Sequence, residues 1–104
     1  QCRKGVQLRD GATASLTGMQ IHDCAEVGIL AWRQASLTLE GSVITGNGKG
    51  VVLYLRGCGF GWAPAEFAGT VAGAGNRIFG NLELDLCPPY PGDPWPDGFL
   101  VEAP

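Results

Sequence analysis

Glu83 and Asp85 stand two residues apart near the end of the sequence. On an extended strand that spacing is about 7 Å, inside the roughly 5–9.5 Å that separates the two carboxyl groups of a glycosidase. Both would leave the strand on the same side, however, whereas the reaction needs them on opposite sides of a glycosidic bond, so a charged rim is the simpler reading. The other acids weighed, Asp10, Asp23 and Glu40, fall on different segments. His22 is the only histidine, and the four cysteines form no C-x-x-C pair, so no ligand set for a metal is expected. Gly46-Asn47-Gly48 and Gly57-Cys58-Gly59 do not open helices, so no phosphate cradle and no cofactor is expected either.

These residues are carried by 104 positions, enough for one domain. Hydrophobic residues make up 45% and charged residues 16%, a balance that favours a folded core over a disordered tail. The formal net charge is −3 and the seven Lys and Arg are scattered, which excludes a basic stripe for nucleic acid. Seventeen Gly and seven Pro oppose long helices and favour strands and turns. No apolar run approaches the roughly 20 residues of a spanning helix, so no membrane partner is expected. The opening Gln1-Cys2-Arg3-Lys4-Gly5 has no signal-peptide pattern and reads as a cut, as in a domain excised from a longer chain.

The elements that must position the candidate residues show themselves as a repeat. Gly5-Val6-Gln7-Leu8 recurs as Gly28-Ile29-Leu30-Ala31 and Gly50-Val51-Val52-Leu53, after 23 and then 22 residues. The same offset carries Ala12 to Gly18 onto Ala35 to Gly41, and Ile21-His22-Asp23-Cys24 onto Ile44-Thr45-Gly46-Asn47. Ile78-Phe79-Gly80-Asn81 follows after 34 residues, one period plus an insertion in the Gly/Ala-rich stretch 57–73. Apolar residues alternate with period two between Gly, Asp, Asn and Ser, a strand signal. Strands that return every 22 residues in one direction cannot be hairpins; they must stack in parallel at about 4.8 Å per repeat. The expected fold is all-β, a right-handed parallel β-helix (solenoid) of three to four coils over residues 1–87, with an inserted loop near 57–68. Residues 88–104, which hold six of the seven prolines with Tyr90, Trp95 and Phe99, are expected to form a C-terminal cap.

The pattern running from Gly5 to Cys24, from Gly28 to Asn47 and more weakly from Gly50 to Asn81 resembles the pectate-lyase-like superfamily of right-handed parallel β-helices, in its carbohydrate-binding and sugar-hydrolysis type of module. That resemblance implies the fold and leaves the activity open, since the superfamily spans lyases, hydrolases, epimerases and non-catalytic modules. A lyase of this kind needs clustered acidic calcium ligands and a basic residue, and that motif does not carry over to Asp10, Asp23, Glu40, Glu83 and Asp85.

Counting from each repeat Gly, the inward stacks are Val6, Leu8, Ala12, Ala14, Leu16 and Ile21; then Ile29, Ala31, Ala35, Leu37, Leu39 and Ile44; then Val51, Leu53, Leu55, Val71, Ile78, Leu82, Leu84 and Leu86. The outward residues of the first strand are Gln7 and Arg9, Leu30 and Trp32, Val52 and Tyr54, and finally Glu83 and Asp85. Leu30, Trp32, Val52 and Tyr54 are expected to form one exposed apolar patch, flanked by Arg9, Arg33, Arg56, Glu83 and Asp85, and such patches mark contacts. Two readings compete: stacked aromatics that grip a polysaccharide, as the resemblance implies for this groove, or a protein contact, either a homodimer face or the seat of the inserted loop.

Four cysteines allow three pairings. Cys2 and Cys24 share one turn position a coil apart, and Cys58 and Cys87 follow strands expected to stack, so 2–24 and 58–87 are the natural pairs; four buried free thiols are the alternative. Asn47 and Asn81 are read as structural turn residues that bond along the stack, and His22 as a solvated surface residue. Gln1 to Lys4 begin in mid-turn with no cap, so the first coil leaves strand edges open to a second copy. The expected function is a non-catalytic scaffold or binding module, extracellular or at a cell surface. The alternative is the C-terminal part of a polysaccharide lyase or glycoside hydrolase whose catalytic coils lie elsewhere.

Overall fold

The computed structural model describes residues 2–9, 11–55, 58, 67–88, 90 and 95–101, with the side chain of Cys2 outside that set. Ten strands follow in order: β1 (Cys2–Leu8), β2 (Thr13–Thr17), β3 (Gln20–His22), β4 (Cys24–Ala31), β5 (Ser36–Glu40), β6 (Val43–Thr45), β7 (Lys49–Leu53), β8 (Thr70–Ala72), β9 (Arg77–Phe79) and β10 (Leu84–Cys87). They form three sheets, ordered β1-β4-β7-β10, β2-β5-β8 and β3-β6-β9. Every named pairing is parallel. The chain therefore visits the three sheets in rotation and begins a fourth round with β10.

The register is that of the repeat. Val6 lies beside Ile29 and Ile29 beside Val51, Leu16 beside Leu39, and Ile21, Ile44 and Ile78 stand in one row. The second round is sealed most completely: Ile29, Leu39 and Ile44 are each 0% exposed. Full burial of an aliphatic side chain of this size stabilises the fold by about 1.5–3 kcal/mol. Of their first-round counterparts, Val6 and Leu16, on strands with a neighbour on one side alone, are half-buried, while Ile21 stays buried at 7% exposed.

The repeat glycines are required by this stacking. A Cβ added at Gly28 would lie 2.8 Å from the Gly50 carbonyl oxygen and 3.0 Å from Ile44 Cγ2, and one at Gly5 would meet Gly28 O at 2.5 Å and Ile21 Cγ2 at 2.9 Å. Each repeat Gly thus leaves room for the next round's backbone and for the Ile of its own round. Asp23, Gly46 and Gly80 occupy one corner in successive rounds with φ of 59°, 72° and 64°; this left-handed conformation costs Asp little more than Gly because the short polar side chain tolerates it.

Two polar ladders bind the rounds at their corners. Asn47, fully buried, accepts the Cys24 N–H at 2.9 Å on Oδ1 and donates from Nδ2 to Ile21 O and to Asn81 Oδ1. Asn81 in turn accepts the Asn47 N–H at 3.0 Å. At another corner Ser42 Oγ accepts Met19 N–H, and Asn76 Oδ1 accepts Ser42 N–H. The asparagines act as turn residues that replace backbone partners lost where strands end.

Several expectations need correction. Leu82, expected inside, is 86% exposed. Leu84 lies beside Lys49, Leu86 beside Val51 and Cys87 beside Val52, so Leu84 packs against the outer cluster and not the core. Glu83 and Asp85 consequently do not continue the row of Leu30 and Val52; Cys87 does. Asp85 stands beside Gly50, in the position the repeat Gly held in earlier rounds. Its carboxylate accepts Asn81 N–H at 3.1 Å and Asn81 Nδ2 at 2.9 Å, ending the ladder.

At the far end Trp95 and Phe99 are buried in the main core, and Phe99 is wholly enclosed. Asn76 bridges to Leu100 and donates its N–H to Phe99 O at 3.0 Å, while Val101 N–H returns to Asn76 O at 2.8 Å. Among the described residues no helix is long and apolar enough to cross a membrane.

Candidate functional site

The outer side of the first sheet gathers most of the residues singled out for binding, in two rows. Gln7, Leu30, Val52 and Cys87 lie side by side in successive strands. The next row follows the strand ends, where Trp32 N–H donates to Leu8 O and Tyr54 N–H to Ala31 O, both at 2.9 Å. The Arg9 guanidinium lies 5.8 Å from the Trp32 ring centroid, and the Trp32 and Tyr54 rings are 5.0 Å apart at 33°. A cation and two aromatics thus stack along the sheet, each contact within the range that adds about 0.5–1.5 kcal/mol beyond area alone.

The apolar patch is contiguous but covered. Leu30 and Val52 are 2% and 0% exposed and cluster with Val27, Cys58 and Cys87; only Trp32 and Tyr54 stay half-exposed. The cover includes the Cys58–Cys87 disulfide, whose Cα atoms are 5.7 Å apart. No described cysteine is a free thiol, which removes the alternative of four free thiols. The backbones of Cys2 and Cys24 are register partners, but the expected 2–24 bridge depends on the Cys2 side chain, outside the described residues. Arg56 and most of the insertion near 57–68 also lie outside them.

Beside the aromatic pair opens a cleft of about 250 Å³ lined by Lys4, Glu26, Val27, Leu30, Trp32, Lys49 and Tyr54. Alternation counted from the repeat Gly brings Glu26 to this face but not Lys4 or Lys49. Val27 and Leu30, three residues apart, both enter the outer cluster while Ile29 enters the core, so strict alternation is interrupted between Val27 and Ile29, and Val27 lies between Lys4 and Lys49 in register. The recurrent glycines were the available signal: a position that excludes Cβ is one where a strand departs from strict alternation. Glu26 accepts Arg3 Nε at 2.8 Å. Among the described residues, Trp32 Nε1 is the buried side-chain polar atom without a hydrogen-bond partner.

The remaining candidates lie elsewhere. Glu83 is exposed and Asp85 belongs to the asparagine ladder, so the two carboxylates do not face one another across a cleft. Arg33 is exposed at the turn after Trp32, with φ 48°. His22 is exposed, its Nδ1 2.9 Å from Asp23 Oδ2. Among the described residues no group of three His, Cys, Asp or Glu is placed to hold a metal ion. No protein-family model, curated protein or solved structure matches the chain.

Proposed function

We propose that the chain is a right-handed parallel β-helix with a capped C-terminal end, a non-catalytic scaffold module of the pectate-lyase-like kind that associates with a second copy through its first round. The observation that carries this reading is the contrast between rounds: Val6, Ala14 and Leu16 are half-buried where Ile29, Leu37 and Leu39 are sealed, although Leu8 and Ile21 of the first round are buried. Three strands, β1, β2 and β3, stand at the same end, each with a strand neighbour on one side alone among the described residues. Trp95, Phe99 and Leu100 occupy the opposite end, which bars head-to-tail stacking and favours a two-fold, end-to-end pair. Association also adds buried apolar area that so small a core lacks. The Cys58–Cys87 bridge fits an oxidising compartment, extracellular or at a cell surface.

Sedimentation equilibrium at micromolar concentration tests this. A dimer is expected, dissociated by Leu16→Lys with the melting temperature of the monomer retained, and unaffected by Trp32→Arg on the outer face. Because β1 carries Arg3 and Lys4 and Arg9 follows it directly, the pair should tighten as added salt screens like charges. A wild-type monomer would refute the reading.

A second reading is favoured by the cleft: a sugar ring held against Trp32 and Tyr54, as carbohydrate-binding members of the resembled superfamily hold theirs. Trp32→Ala should then abolish glycan-array binding and leave the fold intact; an array without wild-type hits removes it.

A further inference from the structure

Asn47-Gly48 is the chain's one Asn-Gly pair, and the stacking demands both residues. Asn47 supplies the corner ladder. A Cβ at position 48 would lie 2.4 Å from Ala25 O and 2.6 Å from Glu26 O, so Gly alone fits there. The same pair is chemically self-reactive. With no side chain on the following residue to crowd the approach, a backbone nitrogen reaches the preceding side-chain amide carbon and closes a cyclic imide. The other asparagines precede Arg77 and Leu82, whose side chains hinder that approach.

The reaction balances with water alone. Hydroxide removes the Gly48 N–H proton, the nitrogen attacks Asn47 Cγ, and the Cγ–Nδ2 bond breaks as ammonia leaves with a proton taken from water. A water molecule then opens the imide. Opening at Cγ leaves an aspartate; opening at the main-chain carbonyl leaves an isoaspartate, in which the chain runs through the former side chain.

In the folded chain every participant is held. Asn47 is 0% exposed and Gly48 is buried, which keeps hydroxide and water away. The Gly48 N–H, whose proton must leave first, donates to Cys24 O at 2.9 Å. The leaving group, Nδ2, donates to Ile21 O at 3.3 Å and to Asn81 Oδ1 at 3.0 Å. Ring closure therefore breaks three hydrogen bonds that tie this corner to the rounds on either side, and it proceeds only when the corner opens, a local unfolding event. The products do not fit back. An aspartate at this position turns oxygens towards Ile21 O and Asn81 Oδ1, both acceptors, and buries a charge without a partner. An isoaspartate inserts a methylene into the main chain just before Lys49 and Val51 and shifts them from their partners Val27 and Ile29.

We propose that Asn47-Gly48 is a deamidation site, silent while the ladder is closed, at which opening of the corner is converted into irreversible loss of the stack. The corner thus records opening of the middle rounds as a covalent change.

The test is incubation of the intact, oxidised protein at mildly alkaline pH, either folded or in guanidinium chloride above its unfolding midpoint, followed by peptide mass mapping and enzymatic detection of isoaspartate. In denaturant, Asn47 should deamidate faster than Asn76 and Asn81. In buffer it should react at least about a hundredfold more slowly, since three hydrogen bonds each hold the corner shut by about fivefold. Asn81→Ala removes one acceptor of Nδ2 at a half-exposed position; it should raise the folded rate about fivefold and leave the denatured rate unchanged. Asn47→Asp, which makes the aspartate product directly, should lower the denaturant midpoint or prevent folding. Equal rates in buffer and denaturant, or a folded rate unmoved by Asn81→Ala, would overturn protection by the ladder. An Asn47 no faster than Asn76 and Asn81 in denaturant would overturn the site, and an Asn47→Asp protein as stable as wild type would overturn the irreversible loss.

Discussion

Replacing Asn47 by Ala probes the corner ladder on which the stacking depends. Asn47 is 0% exposed, and its side chain serves Cys24 N–H at 2.9 Å, Ile21 O at 3.3 Å and Asn81 Oδ1 at 3.0 Å. The Asn81 oxygen keeps the Asn47 backbone N–H at 3.0 Å, so it is not orphaned by the change. Cys24 N–H and Ile21 O do lose these bonds in a buried corner, at about 2 kcal/mol each, or about 4 kcal/mol together. A domain of this size is stable by about 5–15 kcal/mol in total. With a urea m-value of about 1.5 kcal/mol/M, the midpoint should fall by about 2–3 M. Equilibrium urea unfolding under oxidising conditions, followed by far-UV circular dichroism and tryptophan fluorescence, measures it. Asn81→Ala is the internal comparison: its corner is half-exposed, water can replace the lost groups, and about 1 kcal/mol is expected. An Asn47→Ala midpoint within 0.5 M of wild type, by the estimate that a satisfied corner loses little, would refute the ladder as a source of stability.

Gly28→Ala should destabilise by more than the roughly 1 kcal/mol of a strain-only change, because its Cβ would press on Gly50 O at 2.8 Å, whereas Gly11→Ala, with φ 78° and no atom within 4 Å, should cost only that strain; paired thermal melts compare them. Ile29→Asp places an unpaired charge at a site 0% exposed and should prevent folding, so a soluble, cooperatively melting variant would contradict the strand register. Opening the Cys58–Cys87 link, 29 residues apart, by the double Ser variant should cost about 3–4 kcal/mol of chain-entropy stabilisation and raise exposure of the Leu30 and Val52 cluster, read as increased binding of a hydrophobic dye; unchanged stability and dye binding would show that the bridge does not hold the cover.

What the sequence by itself determined was periodic. In a stack of parallel strands the neighbour of a residue lies one period away, so the recurrence of Gly5, Gly28 and Gly50, or of Ile21, Ile44 and Ile78, is already a list of contacts, and the strand partners agree with it. The asparagine turn role was legible for the same reason: Asn47 and Asn81 recur at one corner and bond to one another. Tertiary structure decided what has no period. The residues after Asn81 carry no repeat, so only pairing could fix that Leu84 rather than Glu83 meets the outer cluster and that Asp85 closes the ladder. The cleft was hidden likewise, since the alternation that would have predicted which side Lys4 and Lys49 take is interrupted between Val27 and Ile29. Cover on Leu30 and Val52 comes from Cys58 and Cys87, joined across 29 positions. The pairing of Cys58 with Cys87 was itself legible from the stacked strands they follow; that the bridge lies over Leu30 and Val52 was not, because what packs on an outer face depends on where the non-repeating segments fold, and no period encodes that.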